Sequence, residues 1–129
     1  MAGVLAELQA QGHDVTQVAT GEQWPEVGRA VGEAVASGRA DRGVVCCWTG
    51  TGVSMAANKV PGVRAALCTD AATAAGARRW NDANVLAFGL RLTSQELARE
   101  MIGAFLDGEP DTGELPIIAR VERPPGALG

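Results

Sequence analysis

The chain has no tyrosine, a single histidine (His13), one lysine and three cysteines among its 129 residues. Each shortage excludes something. One histidine and three cysteines rule out most His-rich or Cys-rich metal centres, so no metal is expected. A Ser-His-Asp triad would have to use His13, which sits in a QGHDV turn and reads as a surface loop residue. Cys46 and Cys47 are adjacent and Cys68 stands alone, which is neither a disulfide framework nor a CxxC motif. A reducing, cytoplasmic compartment is the expectation. No apolar run approaches the ~20 residues of a membrane helix. The N-terminus lacks the basic region, apolar stretch and cleavage site of a signal peptide. Positive charge is also in deficit: 11 Lys plus Arg against 15 Asp plus Glu leave a net charge of −4. Neither nucleic acid nor a membrane surface is therefore an expected partner.

What is present describes one globular domain over residues 1–129. Hydrophobic residues make up 47% and charged residues 20%, enough for a core without disulfides or metal. Helical and extended patterns alternate. Helices are predicted over 2–11, 25–37, 53–59, 70–80 and 94–106, and strands over 14–19, 42–47, 63–68 and 85–88. Thr93 and Glu96 form a T-x-x-E capping box for the last long helix. Residues 115–121 read as an extended or irregular tail. Strand–helix alternation with apolar strands implies a parallel sheet covered on both faces, with ligands beyond the carboxyl ends of the strands. The chain opens on a helix, whereas a doubly wound unit opens on a strand that ends up inside the sheet. A gap or an exposed strand edge is the expected consequence.

The chemistry concentrates in GVVCCWTGTGVSMAANK, Gly43 to Lys59. A buried strand ends at Cys47, and a glycine-rich turn of Trp48, Thr49, Gly50, Thr51 and Gly52 leads into a helix. Such a turn aims successive backbone N–H groups at one point and makes an anion-binding nest. The same partial charge favours a thiolate at Cys47. Neighbouring strand residues point to opposite faces, so Cys46 and Cys47 cannot both reach the site. On spacing alone, Cys47 is either a small core hydrophobe or a reactive thiol. The turn is not a Walker A loop, because no G-K-[ST] follows. It half-matches a dinucleotide fingerprint through Gly50-x-Gly52 and Asp70. Met55 stands where a third small residue belongs, and the helix is short before Pro61, which disfavours nucleotide binding.

CCWTGTGVSMAANKVPGVRAALCTD (Cys46–Asp70) and ARRWNDANVLAFGLRLTSQELAREMI (Ala77–Ile102), with AVASGRADRGVV ahead of them, resemble the ribose-5-phosphate isomerase B and galactose-6-phosphate isomerase family. The resemblance implies a three-layer, Rossmann-like open parallel sheet. It implies a homodimer or higher homo-oligomer with active sites at the subunit interface, and no cofactor. The implied reaction interconverts an aldose and a ketose phosphate through a cis-enediol. Cys47 matches the catalytic base and Thr49 a hydroxyl tied to ring opening. Gly50, Thr51 and Gly52 match the amide loop that holds substrate oxygens. Asn81 matches a ligand of a substrate hydroxyl, and Arg91 and Arg120 match arginines near the phosphate.

Three departures stand out. The family's general-acid histidine would precede Asn81, and Trp80 is there instead. Trp48 replaces a glycine of the anion loop, so a large ring should reshape the pocket. The family's first strand, with an Asp-His pair, has no counterpart: the chain begins where the helix after that strand begins. An empty place in a sheet is costly, so the expectation is a start upstream of Met1 rather than a lost strand. The paired change at Trp48 and Trp80 suggests that both indoles line one site and select a different or already open-chain sugar phosphate. The alternative is a catalytically weak homologue that binds a sugar phosphate or a partner subunit.

Overall fold

The computed structural model describes residues 2–122. Its elements run α1 (Ala2–Ala10), α2 (Trp24–Ala36), β1 (Gly43–Cys47), α3 (Thr51–Asn58), β2 (Ala65–Leu67), α4 (Ala71–Asn81), β3 (Val85–Gly89) and α5 (Gln95–Asp107). Two 3-10 turns, Thr112–Glu114 and Ala119–Val121, flank the short α6 (Leu115–Ile118). All strand pairs are parallel, in the order β1-β3-β2, with Gly43 opposite Val85 on one side and Ala65 opposite Val85 on the other.

Every residue of β3 is buried, as a strand covered on both faces and paired on both edges must be. Its side chains alternate. Leu86 and Phe88 join Cys46, Met101, Ile102 and Phe105 in one core, while Val85 and Ala87 join Val45, Val53 and Ala57 in another. The first core lies under α4, α5 and α1, the second under α2 and α3. This is the three-layer α/β arrangement that the alternation of patterns implies. The core is built from Ala, Val and Cys with a few larger aliphatic side chains and two phenylalanines, consistent with a chain so poor in aromatics.

Three local expectations need correction. Residues 14–19 form no strand. Val15 and Val18 lie three apart rather than two, and a groove separates the segment from the open edge of β1. The cap of α5 is Ser94, whose side chain accepts from the Leu97 N–H at 3.1 Å, and not Thr93. Residues 112–121 are helical turns, not an extended tail. Asp111 starts them by accepting from the Gly113 N–H at 3.0 Å, and Pro116 suits the first turn of α6.

The anticipated gap in the sheet is there. Among the described residues β1 pairs only with β3, so its other edge is unpaired. A groove of about 740 Å³ runs along that edge, with Val4, Leu8, Val15, Val31 and Val44 in its walls.

Candidate active site

β1 ends at Cys47 with alternation intact. Cys46 points into the core around Phe88, and Cys47 turns to the opposite face, where it is only partly covered. Beyond Cys47 the chain folds back across the end of β3. That crossing is tight enough to need glycine twice. Gly50 has φ +82°, and a Cβ there would lie 2.6 Å from the Phe88 carbonyl carbon and 2.8 Å from the Gly89 nitrogen. A Cβ on Gly89 would lie 2.4 Å from the Thr49 carbonyl oxygen. The N–H groups of Leu90 and Arg91 then donate to the carbonyls of Cys47 and Trp48, each at 2.9 Å. The loop is thus pinned to β3 by hydrogen bonds and by close backbone contact.

The pinned loop surrounds one sulfur. The Gly50 N–H donates to Cys47 Sγ at 3.2 Å. Burial pulls the Cys47 thiol up, but the backbone amides of Val53, Gly50, Thr49 and Gly52 outweigh it and hold the thiol below its usual value. The other two cysteines behave in the opposite way. Burial raises the Cys46 thiol, and burial with the nearby Asp70 charge pushes Cys68 up to about 11. Only Cys47 combines exposure with a lowered pKa, which is the signature of a thiol available as a base or nucleophile. Thr49 Oγ1 and Thr51 Oγ1 lie 2.9 Å apart and share a proton-bearing contact at the mouth of the loop. Trp48 stands out from the loop with 66% of its surface exposed, so within one chain it walls off nothing.

The expected site residues divide into two groups. Cys47, Trp48, Thr49, Gly50, Thr51, Gly52 and Arg91 gather at the carboxyl end of β1 and β3. Trp80, Asn81 and Arg120 do not join them. α4 begins past the end of β2 and runs back along the sheet, so Asn81 finishes near the start of β3. A five-residue strand separates the two ends by about 13 Å. Trp80 and Asn81 instead help to line a cavity of about 780 Å³ along β2 and α4, with Arg64, Leu67, Cys68 and Val121. Arg120 sits on the exposed last 3-10 turn, beside Glu122, which pairs with Arg64 at 3.0 Å. The two indoles expected in one site therefore lie apart within one chain, that of Trp80 packed back on Gly76 along α4. His13 is exposed in a loop, as expected, and its N–H donates to the Leu8 carbonyl at 3.3 Å.

Two residues of the site escaped the sequence reading. Gly89 looks like an ordinary strand end, and only its contact with Thr49 shows what it admits. Trp24 falls just ahead of the helix expected over 25–37, yet it is the first residue of α2 and its indole lies against Gly52. Among the described residues no group of three or more His, Cys, Asp or Glu could hold a metal ion, and no helix is long and apolar enough to cross a membrane.

A sequence model of the Ribose/Galactose Isomerase family matches residues 2–122. The D-erythrulose-4-phosphate isomerase of Pectobacterium atrosepticum is 43% identical over 111 residues, covering 82% of this chain and 73% of that one. The ribose-5-phosphate isomerase B of Escherichia coli is 38% identical over 114 residues, covering 85% of this chain and 76% of that one. The solved structure of ribose-5-phosphate isomerase B from Clostridium thermocellum superposes with a TM-score of 0.90 at 37% identity, over 94% of this chain and 85% of that one.

Proposed function

The chain belongs to the ribose/galactose isomerase family, and from that premise we propose that it interconverts an aldose and a ketose phosphate with Cys47 as the base. The observation that carries this reading is the ring of backbone amides around a partly exposed thiol at the end of β1. The Cys47 thiolate removes the proton from C2 of the open-chain aldose. The C–H electron pair forms the C1=C2 bond, and the carbonyl oxygen on C1 takes up charge and then a proton, giving the cis-enediol. Loss of the proton from the oxygen on C2 forms the ketone, and C1 takes back a proton from the Cys47 thiol. Amides already aimed at the site stabilise the developing charge without reorganising, and one such donor is worth about 3 kcal/mol of barrier. Thr49, hydrogen-bonded to Thr51, relays protons between the substrate oxygens. Arg91, on the same rim, supplies a guanidinium for the phosphate.

Trp80, Asn81 and Arg120 belong to this reading only if a second copy brings them to the loop, so the working unit is a homodimer with Asn81 holding a substrate hydroxyl across the interface. Exposed apolar side chains on both groups, Trp48 at 66%, Leu92 at 71% and Trp80 at 56%, suit burial between copies. The substrate reading follows from Trp80. An indole cannot serve as the acid that opens a sugar ring. A tetrose 4-phosphate has its O4 esterified and cannot close a five-membered ring, so it presents its carbonyl without that help. Four-carbon phosphates, of the kind named for the Pectobacterium relative, are therefore the favoured substrates over five- and six-carbon ones.

The test is turnover of four-, five- and six-carbon aldose phosphates, read by NMR as deuterium uptake from D2O at the carbon beside the carbonyl. The expected result is exchange and isomerisation fastest with the four-carbon substrate, falling 10²–10⁴-fold in Cys47→Ala. No exchange with any of them from folded protein would establish the non-catalytic alternative, a homologue that only binds a sugar phosphate or a partner.

A further inference from the structure

We propose that Trp24 is the positioning residue of this site: its indole, packed against Gly52, holds the amides of Gly50–Val53 around the Cys47 sulfur. The inference rests on Cys47 being the reacting group. A Cβ placed on Gly52 would lie 2.8 Å from both Cδ2 and Cε3 of Trp24 and 3.3 Å from Cε2. The ring therefore meets the backbone of Gly52 with no room for a methyl group. Gly52 is the second residue of α3, where backbone N–H groups have no partner within the helix. Those are the amides free to turn toward Cys47. A shift of Gly52 would carry them away from the sulfur.

The indole can serve as a fixed support because its own helix is clamped. Pro25 fixes the first turn of α2. One turn later a Cβ on Gly28 would be 2.6 Å from Ala56 Cβ and 2.7 Å from the Val53 carbonyl oxygen. Two turns later a Cβ on Gly32 would be 3.1 Å from Val60 Cγ2. Residues 24, 28 and 32 thus meet 52, 56 and 60 in step, four by four, so α2 runs close along α3 and the turn that follows it. The largest side chain of this row stands opposite the catalytic loop. It remains 47% exposed, so it is poorly placed to act as a core residue. A rigid ring with two rotatable bonds supports the loop at little entropic cost.

The test is the pH dependence of Cys47 alkylation by iodoacetamide, followed by tandem mass spectrometry, which separates Cys47 from the buried Cys46 and Cys68. In the wild-type chain the midpoint should fall below about 8.5, the value of an ordinary thiol. In Trp24→Ala it should rise by half a pH unit or more, with a 3- to 10-fold slower reaction at pH 7, and Trp24→Phe should restore most of the difference. A role confined to stability would lower the melting temperature and leave the midpoint in place. If Trp24→Ala does not fold, Gly52→Ala takes its part, because the new methyl group lifts the indole off the loop and must also raise the midpoint. An unchanged midpoint in whichever of these variants folds overturns the proposal. Sugar-phosphate turnover does not enter this measurement, so failure of the isomerase reading and failure of the Trp24 assignment are told apart.

Discussion

Arg78 is buried to 3% exposure, a rare position for a guanidinium. It is held there by four contacts. Nη1 donates to Asp82 Oδ1 at 2.8 Å and to the Ala83 carbonyl at 2.6 Å, Nε donates to the Gly108 carbonyl at 3.1 Å, and the group lies 5.8 Å from the Phe105 ring centre. One side chain thereby joins the ends of α4 and α5 to the start of β3. Replacing it with Met should cost about 3–5 kcal/mol, because two carbonyls and a carboxylate lose their donor at once. Arg78→Lys should recover only part of that, since an ammonium cannot reach three acceptors in a plane. Thermal or urea unfolding of the two variants measures both values. Nothing in ARRW distinguishes Arg78 from Arg79, and only the fold shows which one faces inward. Cys46 and Cys47 are the contrary case. Strand alternation alone separates a core sulfur from a site sulfur, and the structure places them on opposite faces as that rule requires.

At the scale of elements, the loop after β1 and the end of β3 are one construction. Gly50 and Gly89 let two backbones cross where any side chain would collide. Gly89→Ala should therefore cost about 3 kcal/mol, since its Cβ meets backbone that cannot turn aside. It should also raise the midpoint of Cys47 alkylation, because displacing Thr49 displaces the amides behind it. A melting curve and an alkylation profile on the same variant check the two effects. The helices and buried strands were legible from apolar spacing, because that spacing records the core they share. The segment 14–19 was misread because strand propensity without a paired strand yields only an extended loop. The turns of 112–121 were misread because Pro and Gly interrupt the periodicity, while the Asp111 side chain and short 3-10 steps keep the chain coiled.

For the whole molecule, what a single sequence shows is bounded by what a single chain brings together. The loop of Cys47 is local in sequence and was legible there. Trp80 and Asn81 are joined to it only by the family resemblance, and one chain sets them on α4, away from the loop. The strand order adds a consequence of its own. Among the described residues β1 and β2 are not paired with each other, and each finds its partner in β3, the last strand of the three. A polypeptide of residues 1–84 lacks both of these ladders, so it should show partial helix by circular dichroism and no cooperative melting transition. Within residues 2–122, Val85–Gly89 closes both pairings, and its end crosses the loop that surrounds Cys47. The segment that joins the sheet is thus also the floor of the candidate site, so loosening it should loosen both at once.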